Sequence, residues 1–215
     1  MITLKSFAFN PLQVNTYVLY DETLECIIID ASCYHASEFE TLNDFIAKLS
    51  LKPVAVVNTH GHFDHLSGTK QICDKYKIDF CLHIDDQSLV KNATRQAETF
   101  GFSMEAPPEL QVWIKDGDLI KFGHSSITAW HAPGHSPGSL IFYSGGSKLL
   151  ITGDVLFAGS IGRTDLPGGN YQQLMNSINT KILGLPSDTK IFPGHGPATS
   201  LKEEIDFNPF LNKSS

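Results

Sequence analysis

A chain of 215 residues with 41 % hydrophobic content can bury a sizeable core, as one large domain or two small ones. Its 16 basic residues against 23 acidic ones give a net charge of −7 with no lysine or arginine run, which argues against nucleic acid as a partner. No stretch approaches the ~18 apolar residues of a spanning helix, and Met1 to Asn10 lacks a basic start followed by an apolar run, so no membrane association is expected and a cytoplasmic setting is.

In chain order, Ile2 to Phe9, Asn15 to Tyr20 and Glu25 to Asp30 read as three short strands separated by turns at Asn10-Pro11 and Asp21-Glu22. From Glu38 the period changes. Phe39, Leu42, Phe45, Ile46 and Leu49 share one helical face before Pro53, so a helix covers the first sheet. Strand 53–57 follows, then an amphipathic run through Leu66, Ile72 and Tyr76, and a strand at Asp79 to His83. Residues 85 to 111 read as a helix and then a loop, with Phe100, Phe102 and Met104 expected to pack onto the body of the domain. Beyond Pro107-Pro108, Asp118 to Phe122, Ser125 to His131, Ser139 to Tyr143 and Leu149 to Thr152 alternate with glycine-containing turns and predict a second sheet. Asn170 to Leu183 returns to helical spacing and stops at Gly184 and Pro186, and a last strand, Lys190 to Phe192, runs into Pro193-Gly194-His195-Gly196.

Two strand-rich halves, each followed by helices, predict a four-layer αββα sandwich in a single domain over 1–215. The four cysteines, Cys26, Cys33, Cys73 and Cys81, show no CxxC pairing and read as reduced core thiols.

The stretch that organises the chain is Thr59-His60-Gly61-His62-Phe63-Asp64-His65. Three imidazoles and a carboxylate at i, i+2, i+5 and i+4 can feed two adjacent ions, and these donors suit zinc, iron or manganese. A buried strand ending at a polar loop is where α/β proteins place ligands. Three further groups fall where strands end, each beside glycine: His135 in Pro133-Gly134-His135, Asp154 in Gly153-Asp154, and His195. Glycine lets the backbone turn tightly and brings a short side chain into a crowded site. His83 and His131 read as packed or solvent-facing, His35 and His124 as surface residues, and Asp30 as a group that fixes the neighbouring loop by hydrogen bonds.

The set His60-x-His62-x-Asp64-His65, His135, Asp154 and His195 resembles the ligand set of the metallo-β-lactamase superfamily over nearly the whole chain. Within that superfamily, residues 59–68 resemble the glyoxalase II motif. Gly153-Asp154-Val155-Leu156-Phe157 through Gly162-Arg163-Thr164-Asp165 resembles the short, single-domain glyoxalase II-like proteins. The resemblance implies the metallo-β-lactamase fold. It implies two divalent metal ions, zinc with iron and manganese as alternatives. His60, His62 and His135 would hold one, Asp64, His65 and His195 the other, and Asp154 would bridge.

The implied activity is hydrolysis of a small-molecule thioester, S-lactoylglutathione or a related acyl thioester, by a water whose pKa two metals lower from ~15.7 toward ~7. Asp64 would also orient that water. Arg163 lies where the family places a basic residue gripping the glutathione carboxylate, or else pairs with Asp165. True β-lactamases of the superfamily commonly use a cysteine in the second site and are exported, which argues against antibiotic hydrolysis here. Persulfide dioxygenases share the fold, carry a similar Gly-Arg-Thr-Asp stretch and use one iron, for which His60, His135 and Asp154 could serve. A metal-holding module without turnover is the remaining alternative. Oligomeric state is not written in the sequence.

Overall fold

The computed structural model describes residues 1–109 and 112–212. Its first half builds β1 (Thr3–Phe9), β2 (Val14–Tyr20), β3 (Glu25–Ile29), α1 (Ala36–Lys48), β4 (Lys52–Val57), α2 (Phe63–Leu66), α3 (Thr69–Tyr76), β5 (Asp79–His83), α4 (Gln87–Lys91), α5 (Ala93–Thr99) and β6 (Val112–Ile114). The six strands form one sheet in chain order, antiparallel from β1 to β3 and parallel from β3 to β6. The second half adds β7 (Leu119–Phe122), β8 (Ser125–His131), β9 (Leu140–Ser144), β10 (Leu149–Gly153), the small hairpin β11 (Leu156–Phe157) and β12 (Ser160–Ile161), α6 (Tyr171–Ser177), β13 (Lys190–Pro193), β14 (Thr199–Ser200) and α7 (Leu201–Phe207). Its sheet runs β14-β13-β10-β9-β8-β7, with β10 and β13 parallel.

Residue alternation explains the layering. In β3, Ile27 and Ile29 join Tyr17, Leu19 and Val57 against Phe122, Ile127, Leu140, Phe142 and Ile151 of the second sheet. The intervening Cys26 and Ile28 point the other way, onto Leu42 and Ile46 of α1, Ile72 of α3 and Ala93 and Ala97 of α5. The second sheet repeats the device: Ile141, Leu150 and Ile191 pack on Leu174 of α6, Ile178, Ile182 and Leu201 of α7. Helices thus cover the outer face of each sheet, and the expected αββα sandwich is what forms. Each fully buried Leu or Ile contributes about 1.5–3 kcal/mol, so these three apolar layers hold the strand ends in fixed relative positions.

The chain departs from the expected elements in four places. The amphipathic run after the histidine motif is two helices, because Gly68 donates its N–H to Ala31 O and sits so close to Cys33 that a Cβ would meet its backbone at 2.8 Å. The segment after residue 85 makes two short helices, α4 and α5, before a loop, and the loop expected at 110 and 111 lies outside the described residues. Phe102 and Met104 pack against the helix-covered core as expected, whereas Phe100, half exposed, touches that core through a stack on Phe63 and turns its other side to the cavity. The β6 strand and α7 carry no clear period in so few residues; α7 is started by Ser200, whose Oγ accepts from Glu203 N while Glu203 Oε2 accepts from Ser200 N. All four cysteines are buried, unpaired thiols, and burial pushes each up to about 12.

Candidate metal centre

The loops that follow β3, β4, β8, β10 and β13 emerge at one rim, because β3 and β4 are parallel, β10 and β13 are parallel, and β8 runs with β10 across β9. Hydrogen bonds stitch that rim across the two sheets: Leu140 N donates to Thr59 O at 2.7 Å and Asn15 N to Gly194 O at 2.7 Å. His62 is extended where it caps α2. The first turn of α2 then presents Asp64 and His65. Asp154 follows Gly153, whose φ of 48° requires the left-handed region. Gly194 lies under the site; a Cβ there would stand 2.1 Å from Asp154 Oδ1 and 2.9 Å from the His65 ring.

All seven predicted groups converge. The ligating atoms of His60, His62 and His135 lie within 4.8 Å of one another, as do those of Asp64, His65 and His195, and Asp154 forms a third such group with His60 and His65. The Asp154 carboxylate stands between the first two sets: Oδ1 is 3.4 Å from His65 Nε2, and Oδ2 is 3.5 Å from both His135 Nε2 and His195 Nε2. Asp64 Oδ2 is 3.5 Å from His195 Nε2. Zinc–nitrogen bonds of ~2.0–2.1 Å in tetrahedral array put neighbouring donors about 3.3 Å apart, close to these separations.

The outward faces of the rings fix their proton positions. Thr59 Oγ1 donates to Asp30 Oδ2 at 2.7 Å, so at 3.0 Å it can only accept from His60 Nδ1–H. His65 Nδ1 donates to Asp30 Oδ2 at 2.9 Å, His135 Nδ1 to Arg163 O at 2.9 Å and His195 Nδ1 to Leu12 O at 2.9 Å. Each of these four rings therefore turns an Nε2 lone pair inward. His135 and His60 face each other Nε2 to Nε2 at 3.3 Å, and His65 and His195 at 3.4 Å, with no hydrogen to share while the rings are neutral. Asp154 Oδ1 and His62 Nε2 are buried with no hydrogen-bond partner. His62 Nδ1 lies 2.9 Å from His135 Nε2, so that one facing pair can share a hydrogen, but the remaining facing nitrogens and an unpartnered carboxylate oxygen are costly unless a cation sits among them, so these residues fit metal ions.

Electrostatics divides the cluster. Burial pushes the His60 ring well below its ordinary pKa, helped by the neighbouring His65, and burial beside His135 brings His62 down to about 4. His65 and His195 go the other way. For His65, burial opposes the charge but Asp154, Asp30 and Asp64 outweigh it; for His195, the bond to Asp64 and the charge of Asp154 do so. Burial likewise works against ionised Asp154, and the His65 and His135 rings overcome it, holding the carboxyl well below its usual range.

Of two carboxylate supports, Asp86 has no signal in the sequence and Asp30 only a partial one. Asp86, fully buried, accepts from Gly61 N at 2.8 Å and Ser136 Oγ at 2.7 Å through Oδ2, and from Gly138 N at 2.6 Å through Oδ1, tying the His60–His65 loop to the His135 loop. It sits in a polar run with no spacing signature. Asp30 was expected to fix a loop, and it does, through Thr59 N and Oγ1; the same carboxylate also orients His65. Arg163 gives its carbonyl to His135, while its guanidinium forks onto Asp165 with two bonds of 2.7 Å.

A separate grouping of His83, Asp85 and His131 has the composition of a metal site. The two rings stack in parallel, centroids 4.0 Å apart, His131 Nε2 donates to Pro137 O at 2.8 Å and His83 Nδ1 accepts from Asp85 N at 3.3 Å. Both nitrogens are thus committed, in keeping with packed histidines. His35 and His124 are exposed, as expected.

A cavity of about 590 Å³ opens over the centre, lined by His62, Asp64, His135, Asp154 and His195 and by Leu12, Phe63, Phe100, Phe157, Ile161 and Arg163 among others. Among the described residues, no helix is long and apolar enough to cross a membrane.

A family model described as the metallo-beta-lactamase superfamily matches residues 9–195. The chain is 38 % identical over 204 residues to a Bacillus subtilis (strain 168) protein named probable metallo-hydrolase YqgX, covering 94 % of each chain. It is 34 % identical to hydroxyacylglutathione hydrolase GloC of Haemophilus influenzae, covering 94 % of this chain and 95 % of that one. Among solved structures, BLEG-1, titled a B3 metallo-beta-lactamase, superposes with a TM-score of 0.90 at 34 % identity over 98 % of this chain and all (100 %) of the other. TTHA1623 in a di-iron-bound form gives 0.87 at 35 % identity over 96 % of this chain and 100 % of that one.

Proposed function

The chain belongs to the metallo-beta-lactamase superfamily of metal-dependent hydrolases, and from that premise we propose that it hydrolyses a thioester in the manner of a glyoxalase II. The observation that carries this reading is the Asp154 carboxylate, standing between two complete donor sets with one buried oxygen unpartnered. Two divalent ions held there would lower the pKa of a shared water from ~15.7 toward ~7 and polarise the carbonyl it attacks. Zinc, iron and manganese all accept these donors.

The protein's own part is positional and electrostatic. Asp30, Thr59, Arg163 O and Leu12 O hold four Nδ1 protons and so keep four Nε2 lone pairs turned to the centre. Asp64 lines the cavity and orients the attacking water by accepting a hydrogen bond from it. Among the described residues lining the cavity, every titratable group except Arg163 belongs to the seven donors, so no separate acid stands ready to protonate a leaving group. A thiolate, from a thiol of pKa ~8.5, leaves without one, whereas an amide nitrogen does not. This favours a thioester over the second reading, the β-lactam ring suggested by the likeness to BLEG-1. The relative named hydroxyacylglutathione hydrolase makes S-lactoylglutathione the first substrate to try.

The test is metal stoichiometry in protein purified without added metal, followed by assays on S-lactoylglutathione, a chromogenic cephalosporin and, for oxygen uptake, glutathione persulfide. Two ions with thioester hydrolysis is the expected result. One iron with oxygen uptake, or cephalosporin turnover alone, would replace it.

A further inference from the structure

Resting on the thioester reading above, we propose that the cleft beside the metal centre is shaped for an uncharged, apolar acyl group, and that thioesters of this class are preferred over those with a charged peptide arm.

The apolar surface begins at the donors themselves. Phe63 stands between His62 and Asp64 in the motif, and the Phe100 ring stacks on it with centroids 5.5 Å apart and planes 19° from parallel. On the other flank the Phe157 ring lies 6.3 Å from His195. Leu12 and Ile161 continue the wall. Phe100 is 49 % exposed and Leu12 41 %, although both line a concave cavity where apolar area is expected to meet a ligand.

The wall offers a substrate few polar groups, Gln96 and Ser160 being its uncharged ones. Gln96 Oε1 accepts from Phe63 N at 3.0 Å. Arg163 is the single cationic side chain among the described lining residues, and Asp165 occupies its fork. Offering that fork to a substrate carboxylate exchanges one exposed ion pair for another, with little net gain. A peptide arm with two carboxylates and an ammonium therefore finds no vacant cationic partner among the described lining residues, while an alkyl or aryl group finds an apolar wall.

The test uses zinc-loaded protein and two readouts. In calorimetric binding of straight-chain carboxylates from acetate to octanoate, the dissociation constant should fall about fourfold for each methylene that enters the cleft. In hydrolysis of the matching N-acetylcysteamine thioesters, kcat/KM should climb in parallel and the hexanoyl ester should exceed S-lactoylglutathione. Phe100→Ala and Phe157→Ala should each shrink the octanoate-to-acetate affinity ratio. A flat carboxylate series, or S-lactoylglutathione exceeding every N-acetylcysteamine ester, overturns the inference while leaving thioester hydrolysis standing. A steep carboxylate series with no thioester cleaved supports the apolar cleft and removes the thioesterase reading instead.

Discussion

Replacing Asp30 by asparagine removes one charge and no volume, and isolates what that carboxylate does. It is fully buried and accepts three hydrogen bonds: from Thr59 N at 2.7 Å on Oδ1, and from Thr59 Oγ1 at 2.7 Å and His65 Nδ1 at 2.9 Å on Oδ2. An amide nitrogen in the Oδ1 place faces the Thr59 N–H, donor against donor. In the Oδ2 place it donates to Thr59 Oγ1, whose proton then swings to His60 Nδ1, and His65 Nδ1 must become an acceptor as well. Both rings would then carry their hydrogen on Nε2, pointing into the space between the donor sets. The first outcome strands a buried donor at about 1–3 kcal/mol. The second blocks one donor of each set, and loss of such an orienting partner typically costs 10–100-fold in metal affinity, or about 1.4–2.7 kcal/mol. Zinc titration against a chromophoric chelator measures that affinity, and thermal melting of the metal-free protein separates it from loss of fold. Asp30→Asn protein that binds two zinc ions as tightly as the parent would refute the tautomer argument.

Gly194→Ala places a methyl 2.1 Å from Asp154 Oδ1 and 2.9 Å from the His65 ring, so metal analysis should show the Asp64–His65–His195 set depleted while the His60–His62–His135 set still binds. Asp86→Ala leaves two buried donors unpaired, the N–H groups of Gly61 and Gly138, while Ser136 Oγ keeps its contact with Ser139 Oγ; a loss of about 3 kcal/mol, at 2–4 °C per kcal/mol, should lower the melting temperature by about 6–12 °C. Metal loading should depend on pH unequally. The raised pKa values of His65 and His195 mean that those rings hold protons which metal must displace, so affinity at that set falls as pH falls, whereas His62, down at about 4, gives the other set no such competition in mild acid. Calorimetry in buffers of different ionisation enthalpy should find proton release concentrated in one of the two binding steps; equal release in both would contradict it.

The donors were legible because each stands where a strand stops and a glycine lets the chain turn, a local pattern that survives without knowledge of neighbours. Their supports were not, because they act across distance. Asp30 serves a histidine 35 residues later, and Asp86 holds a serine 50 residues on. Nothing near Asp86 distinguishes it from the exposed Asp85 beside it; only the fold turns one carboxylate inward. Leu12 contributes to the centre through its carbonyl, an atom every residue possesses. Phe100, Phe102 and Met104 read as one packing group, and all three touch the core, but Phe100, at the end of α5, does so only by stacking on Phe63 and leaves half its surface to the cavity, a division that so short an apolar run has no period to show.

The layering explains why the centre depends on the whole sandwich. His60, His62, Asp64 and His65 come from the loop after β4 in the first sheet, and His135, Asp154 and His195 from loops of the second, so each donor set mixes the two. Neither sheet alone can close a set. The apolar layer between the sheets fixes their separation, and the Asp86, Leu140 N and Asn15 N contacts pin the loops at the rim. A destabilising change in that shared layer, such as Phe142→Ala, should therefore weaken metal binding before the protein unfolds, because small shifts between the sheets move His135, Asp154 and His195 together relative to the motif.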